Sequence, residues 1–144
     1  MHTASLQRAI EICQQKKLRF TTLRQRVFLL MLAQEGAVSA YELLEQLKKY
    51  DSSAKPPTIY RALDFLLKHH FIHRIESLNA YLKCDYFGCE HPMQLLICEK
   101  CKRVIELSDP VIDNAFSDQA EQSGFKITNK VLEAHGICHN CLYN

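Results

Sequence analysis

Glycine and proline are scarce, four of each in 144 residues, too few for a low-complexity or disordered chain. Long apolar runs are missing as well. No stretch reaches the ~18 apolar residues that a membrane span needs, and the N-terminal MHTASLQRAIEICQQKK is too polar for a signal peptide. A cytosolic chain is therefore expected, in a compartment where thiols stay reduced. Catalytic signatures are absent too. There is no Gly-rich phosphate loop and no G-x-S-x-G. A zinc deaminase would need H-x-E and P-C-x-x-C, but no H-x-E occurs and Ile97 precedes the first CxxC. No enzyme is expected.

Nearly half the residues are apolar, enough for a core in one medium domain or two small ones. The net charge of +2 hides an asymmetry. Residues 1–83 carry 13 Lys and Arg against 7 Asp and Glu, whereas residues 84–144 carry 5 against 9. A basic front half suits nucleic acid. Seven cysteines, an odd number, argue for metal binding over a disulfide framework, and all but Cys13 lie in the acidic half. Cys13 shares an apolar helical stripe with Leu6, Ala9 and Ile10, so it reads as a core residue.

The front half reads as helices followed by a hairpin. Thr21 or Thr22 caps LRQRVFLLMLAQ, Ser39 and Glu42 form a capping box before AYELLEQLKKY, and a proline pair opens KPPTIYRALDFLLKHH. FIHRIESLNAYLKC alternates around a polar break, as a β-hairpin does. Helices followed by a hairpin form a winged helix-turn-helix, whose last helix enters the major groove. Arg61, in the first turns of that helix, is placed to read guanine, with Tyr60 and Thr58 on phosphate or a thymine methyl. Lys55 and Arg74 would position the protein on phosphates. The bland alternative is a solvated helix face. In the back half, MQLLIC and RVIEL are strands flanking a turn, Ser108 and Pro110 start a helix through about Gln122, and FKITNKVLEAHGIC is one long strand.

Two cysteine pairs are the strongest signal. Cys98-x2-Cys101 and Cys138-x2-Cys141, separated by 36 residues, supply four thiolates to a closed tetrahedral Zn2+ site. A thioredoxin-like redox pair would use one CxxC at a helix start. A second cluster surrounds CDYFGCEH at residues 84–91. If the hairpin turns through Leu78-Asn79, His73 lies directly opposite Cys84, close enough to share an ion. His73, Ile75, Leu82 and Cys84 then share one face, suited to an inward ligand pair resting on apolar residues, and Arg74, Glu76, Tyr81 and Lys83 the other, suited to water or phosphate. Cys89, Glu90, His91 and Glu106 are the candidates for completing that site.

With these segments the chain resembles the ferric uptake regulator (Fur) superfamily of bacterial metalloregulators, and within it the zinc-responsive branch. AYELLEQL, KPPTIYRALDFLL, FIHRIESLNAYLKC, ICEKCKRVIEL and EAHGICHNC carry the likeness, which spans essentially the whole chain. The resemblance implies an α+β chain with a winged helix-turn-helix domain at 1–83, a hinge loop at 84–91, and an α/β dimerisation domain at 92–144 holding the four-cysteine zinc. It implies a second, regulatory zinc on His73, Cys84, His91 and Glu106, making two per protomer. The loop is one residue shorter than the family pattern and gains Cys89, the rival to His91 as third ligand. Iron-sensing relatives carry a histidine-rich run before the first CxxC, whereas HPMQLLIC has one histidine. The implied function is a homodimeric, zinc-responsive repressor of zinc-uptake genes on a palindromic operator. The alternatives are the same fold sensing iron, manganese or peroxide, and a zinc-ribbon module without DNA.

Overall fold

The computed structural model describes residues 2–88 and 90–144, in two compact units, Met1–Glu90 and His91–Asn144. The first contains α1 (His2–Gln15), α2 (Thr22–Leu32), α3 (Ala40–Leu47), α4 (Pro56–Lys68), β1 (Ile72–Ile75) and β2 (Ala80–Lys83). Local chemistry accounts for the helix starts. The Thr21 hydroxyl accepts from Arg24 N–H at 3.3 Å, and Ser39 and Glu42 satisfy each other's backbone donors in a capping box. Pro56 opens α4, where its missing N–H costs nothing.

One apolar core joins these helices. Val27, Phe28 and Met31 of α2 meet Leu43 and Leu47 of α3 and Ile59, Leu63 and Leu66 of α4. Phe28, Phe71 and Phe87 lie 5.5–5.7 Å apart, at edge-on or tilted angles that suit their quadrupoles. Cys13 belongs to this core, and burial raises its thiol pKa.

The hairpin forms in a register different from the expected one. Its turn is not Leu78-Asn79 but a 3-10 turn at Glu76–Leu78, closed by Asn79 in the left-handed region (φ 47°). Two residues are thereby added to the loop, and His73 pairs with Leu82 rather than Cys84. Cys84 instead lies beyond β2, where its N–H donates to Phe71 O at 3.3 Å. A slip of two preserves which side chains share a face. Tyr81 is the exception to the expected outer face. It is buried, because its backbone pairs with Val38 in the loop before α3.

The second unit is a three-stranded sheet with one long helix: β3 (Gln94–Cys98), β4 (Val104–Leu107), α5 (Pro110–Gln122), β5 (Leu132–Gly136) and the short α6 (His139–Leu142). The strand order is β4-β3-β5, with β3 antiparallel to β4 and parallel to β5. Asp109, not Ser108, caps α5, accepting from Val111 N–H at 2.8 Å. The long strand expected from Phe125 forms only over Leu132–Gly136. Upstream, Lys130 Nζ bonds the Asp113 carboxylate and the Ser117 hydroxyl of α5, each at 2.6 Å. Among the described residues no helix is long and apolar enough to cross a membrane.

Candidate metal and nucleic-acid sites

The parallel pairing of β3 and β5 explains how two distant CxxC turns converge. Parallel neighbours end at the same edge of a sheet, and the register sets Cys98 beside Gly136. Glu99 N–H then donates to Gly136 O at 2.8 Å, and Cys138 N–H to Cys98 Sγ at 3.4 Å. Lys102 takes a positive φ of 62° to turn the chain back into β4. Cys138 caps α6 and Cys141 sits one turn along it.

The four sulfurs lie within 4.8 Å of one another, and Cys101 and Cys138 are 3.7 Å apart. Ligands at 2.3 Å from a tetrahedral zinc are separated by about 3.8 Å. The set therefore matches the size of a tetrahedral zinc centre. Its electrostatics suit a cation as well. Backbone N–H groups of Cys101 and then Cys138 pull the Cys98 thiol down to about 6. Cys141, hydrogen-bonded first to Cys138 and then desolvated, is pushed up to about 12. Four crowded sulfurs cannot all ionise unless a metal supplies the opposite charge. His139 is exposed, its ring 4.9 Å from that of Tyr143.

The other candidate ligands form two pairs, one in each unit. In Met1–Glu90, donor atoms of His73 on β1 and of Cys84, just after β2, lie within 4.8 Å. Cys84 is buried, and Tyr86 N–H donates to its sulfur at 3.3 Å. In His91–Asn144, His91 Nε2 and Glu106 Oε1 are 3.1 Å apart, with only 11% and 4% of the side chains exposed. Glu106 occupies β4 opposite Leu95. A carboxylate this buried needs a cationic partner, either a metal or an imidazolium. Cys89, the rival third ligand, lies outside the described residues.

The proposed DNA-contacting residues all lie in the first unit. Tyr60 (49% exposed), Arg61 and Asp64 line the open face of α4, while Ile59, Ala62, Leu63 and Leu66 are buried. Thr58 is already engaged at the helix start, where its Oγ1 accepts from Lys55 N–H at 3.2 Å. Arg74 lies on the wing, donating to Asn79 Oδ1 at 3.1 Å, with Glu76 at 3.9 Å. Sequence reasoning missed Arg19 and Arg24, which line a cavity of about 190 Å3 together with Thr21 and Arg61. Arg24 stacks on Phe65, 4.1 Å from the ring centroid, and donates to Arg19 O. The run LRFTTLRQR was the available signal: arginines flanking a helix cap raise the positive potential beside Arg61.

A sequence profile of the ferric uptake regulator family matches residues 15–141. The chain belongs to the ferric uptake regulator family. Among its Fur-family relatives, the zinc uptake regulation protein of Escherichia coli (strain K12) is 41% identical over 138 residues, covering 95% of this chain and 81% of that protein. A solved structure of a zinc uptake regulator complexed with zinc and DNA superposes with a TM-score of 0.95 at 40% identity, over 99% of this chain and 96% of the other. Holo XcZur superposes with a TM-score of 0.90 at 33% identity, over 98% and 99%.

Proposed function

We propose that this Fur-family chain is a cytoplasmic, zinc-responsive DNA-binding repressor of zinc-uptake genes, acting as a homodimer and holding two zinc ions per protomer. The observation that carries the reading is the likeness, over nearly the whole chain, to a zinc uptake regulator complexed with zinc and DNA. Its own residues support it. The four-cysteine set is closed and structural. The second set divides between the two units, with His73 and Cys84 on one side and His91 and Glu106 on the other. Bound zinc supplies a single centre of positive charge on which all four side chains converge. The segment 84–91 between the pairs then acts as a hinge, with 1–83 the winged-helix domain and 92–144 the dimerisation domain. Closing the hinge in both protomers sets the separation of the two α4 helices, which must match half-sites about one helical turn, or a multiple, apart. By linkage, whatever factor zinc adds to DNA affinity, DNA adds to zinc affinity.

The exposed apolar side chains of the second unit suit a second copy of the chain. Val111, Ile112 and Phe116 on α5, Leu96 and Ile105 on the sheet, and Leu142 and Tyr143 at the C-terminus all face solvent. Large apolar side chains exposed in such number in one small unit suit an interface, and a twofold dimer would match a palindromic operator.

Zinc per chain, measured alongside operator binding before and after mild chelation, tests the scheme. Two zincs are expected, of which only the weaker controls DNA binding. One zinc, or DNA binding indifferent to the weaker one, would overturn it. The same metal analysis separates zinc from iron and manganese. The thiolate of Cys84 favours zinc, since ferrous iron prefers nitrogen and oxygen donors. Arg61→Ala should cost about 1–3 kcal/mol, concentrated at one base pair of the operator. Equal weakening on every sequence would reduce Arg61 to a phosphate contact.

A further inference from the structure

Resting on the reading of Cys84 as a regulatory ligand, we infer that α1 is the positioning element for that ligand, acting through Gly88. The turn 84–88 lies against α1 along one stripe of the helix. Arg8 and Ile12, four residues apart, share a face of α1, and Lys16 directly follows its last turn, where its N–H donates to Ile12 O at 3.0 Å. The Arg8 guanidinium stacks 4.9 Å from the centroid of Phe87, which is buried between Phe28 and Phe71. Lys16 Nζ donates to Gly88 O at 3.0 Å. Ile12 packs so closely on Gly88 that a Cβ there would come within 2.6 Å of its Cδ1. Gly88 adopts φ +92°, a conformation that suits glycine and strains any other residue.

Two backbone bonds complete the clamp. Cys84 N–H donates to Phe71 O at 3.3 Å, and Gly88 N–H to His70 O at 3.0 Å. The turn is thus tied at both ends to His70 and Phe71, just before β1, with Phe87 buried in the core between. Inside it, Tyr86 N–H points at the Cys84 sulfur. If the turn undocked from α1, Cys84 and the Tyr86 N–H that holds its sulfur would leave together. The zinc-competent form is therefore the docked form, and apparent zinc affinity scales with the fraction of chains that are docked. Residues 8, 12 and 16 touch no metal; they set that fraction.

Competition with a zinc-binding dye on the full-length protein reads the regulatory affinity, and operator binding at saturating zinc reads the rest. Gly88→Ala should weaken regulatory zinc roughly five- to thirtyfold, the equivalent of the strain of a non-glycine residue at positive φ. Trimming the neighbour in a Gly88→Ala/Ile12→Ala double variant should recover part of that loss. Lys16→Met, an exposed change that leaves the core intact, should weaken zinc by roughly threefold, as expected for one lost hydrogen bond. Structural zinc and operator affinity at saturating zinc should stay at wild-type values. Unchanged zinc affinity in Gly88→Ala and Lys16→Met, or operator binding lost even at saturating zinc, would overturn the inference and leave α1 a scaffold. Cys84→Ser run in parallel separates the levels. If that variant keeps wild-type zinc dependence, it is the regulatory reading itself that fails.

Discussion

Cys98→Ser should abolish the folded state of the His91–Asn144 unit and with it the dimer. The unit has little else to hold it. Its buried residues, among those described, are Gln94, Leu95, Ile97 and Cys98, and each residue of α5 is at least partly exposed. A module this small, without a developed core, relies on a metal or on oligomerisation. Closing a four-thiolate zinc site contributes on the order of 10–16 kcal/mol in zinc-finger peptides, as much as the whole net stability of a typical domain, about 5–15 kcal/mol. Cys98 is the buried member of the set, at the point where β3, β5 and the turn to β4 meet. Serine offers no thiolate there, and Cys138 N–H loses its sulfur acceptor. The expected signature is loss of the tighter zinc, a monomer in sedimentation, and proteolysis down to the first unit. That unit, with its own core, should keep its helical signal. A stable dimer retaining both zincs would refute a four-cysteine centre.

The parts of this molecule that local chemistry decides are the parts visible in its sequence. The Ser39–Glu42 box, the prolines opening α4 and the apolar stripe of Ile59, Leu63 and Leu66 each act within a turn or two of chain. Both CxxC pairs were legible for the same reason. What brings them together is not local. The adjacency of β3 and β5 in parallel register depends on the crossover through β4 and α5, which no periodicity encodes. The hairpin register failed on turn chemistry. Leu-Asn is a poor two-residue turn, and Asn79 is better used as the single left-handed residue ending a longer one. Tyr81 was assigned to solvent by alternation, but the distant Val38 turns that edge inward. Lys130, in the stretch read as strand, serves instead to anchor a loop on Asp113 and Ser117. Arg24 is placed by cation–π stacking on Phe65, a residue far away in sequence, and Arg19 is joined to it through its carbonyl, which accepts from the Arg24 guanidinium.

Cys84→Ser should remove zinc-dependent operator binding while leaving the dimer folded with one zinc per chain. The substitution changes shape little but replaces an ionisable sulfur by a hydroxyl that stays neutral, at a position with 3% exposure. His73 alone would then represent the first unit in the regulatory set. Losing a mere outer-shell partner weakens metal binding about 10–100-fold, so losing the ligand itself should cost at least the upper end of that range. Reciprocal coupling carries the loss over to DNA: zinc that no longer prefers the closed form cannot tighten operator binding. His91→Ala should behave alike for a further reason, because it strips the buried Glu106 carboxylate of the imidazole at 3.1 Å. Cys89→Ser, by contrast, should leave zinc-dependent binding intact if His91 is the third ligand. Wild-type zinc dependence in Cys84→Ser would disprove the two-pair site, and loss of the structural zinc in that variant would move Cys84 to the other centre. The discriminating case is Cys89→Ser paired with His91→Ala: only a set completed by His91 makes the first silent and the second blind to zinc.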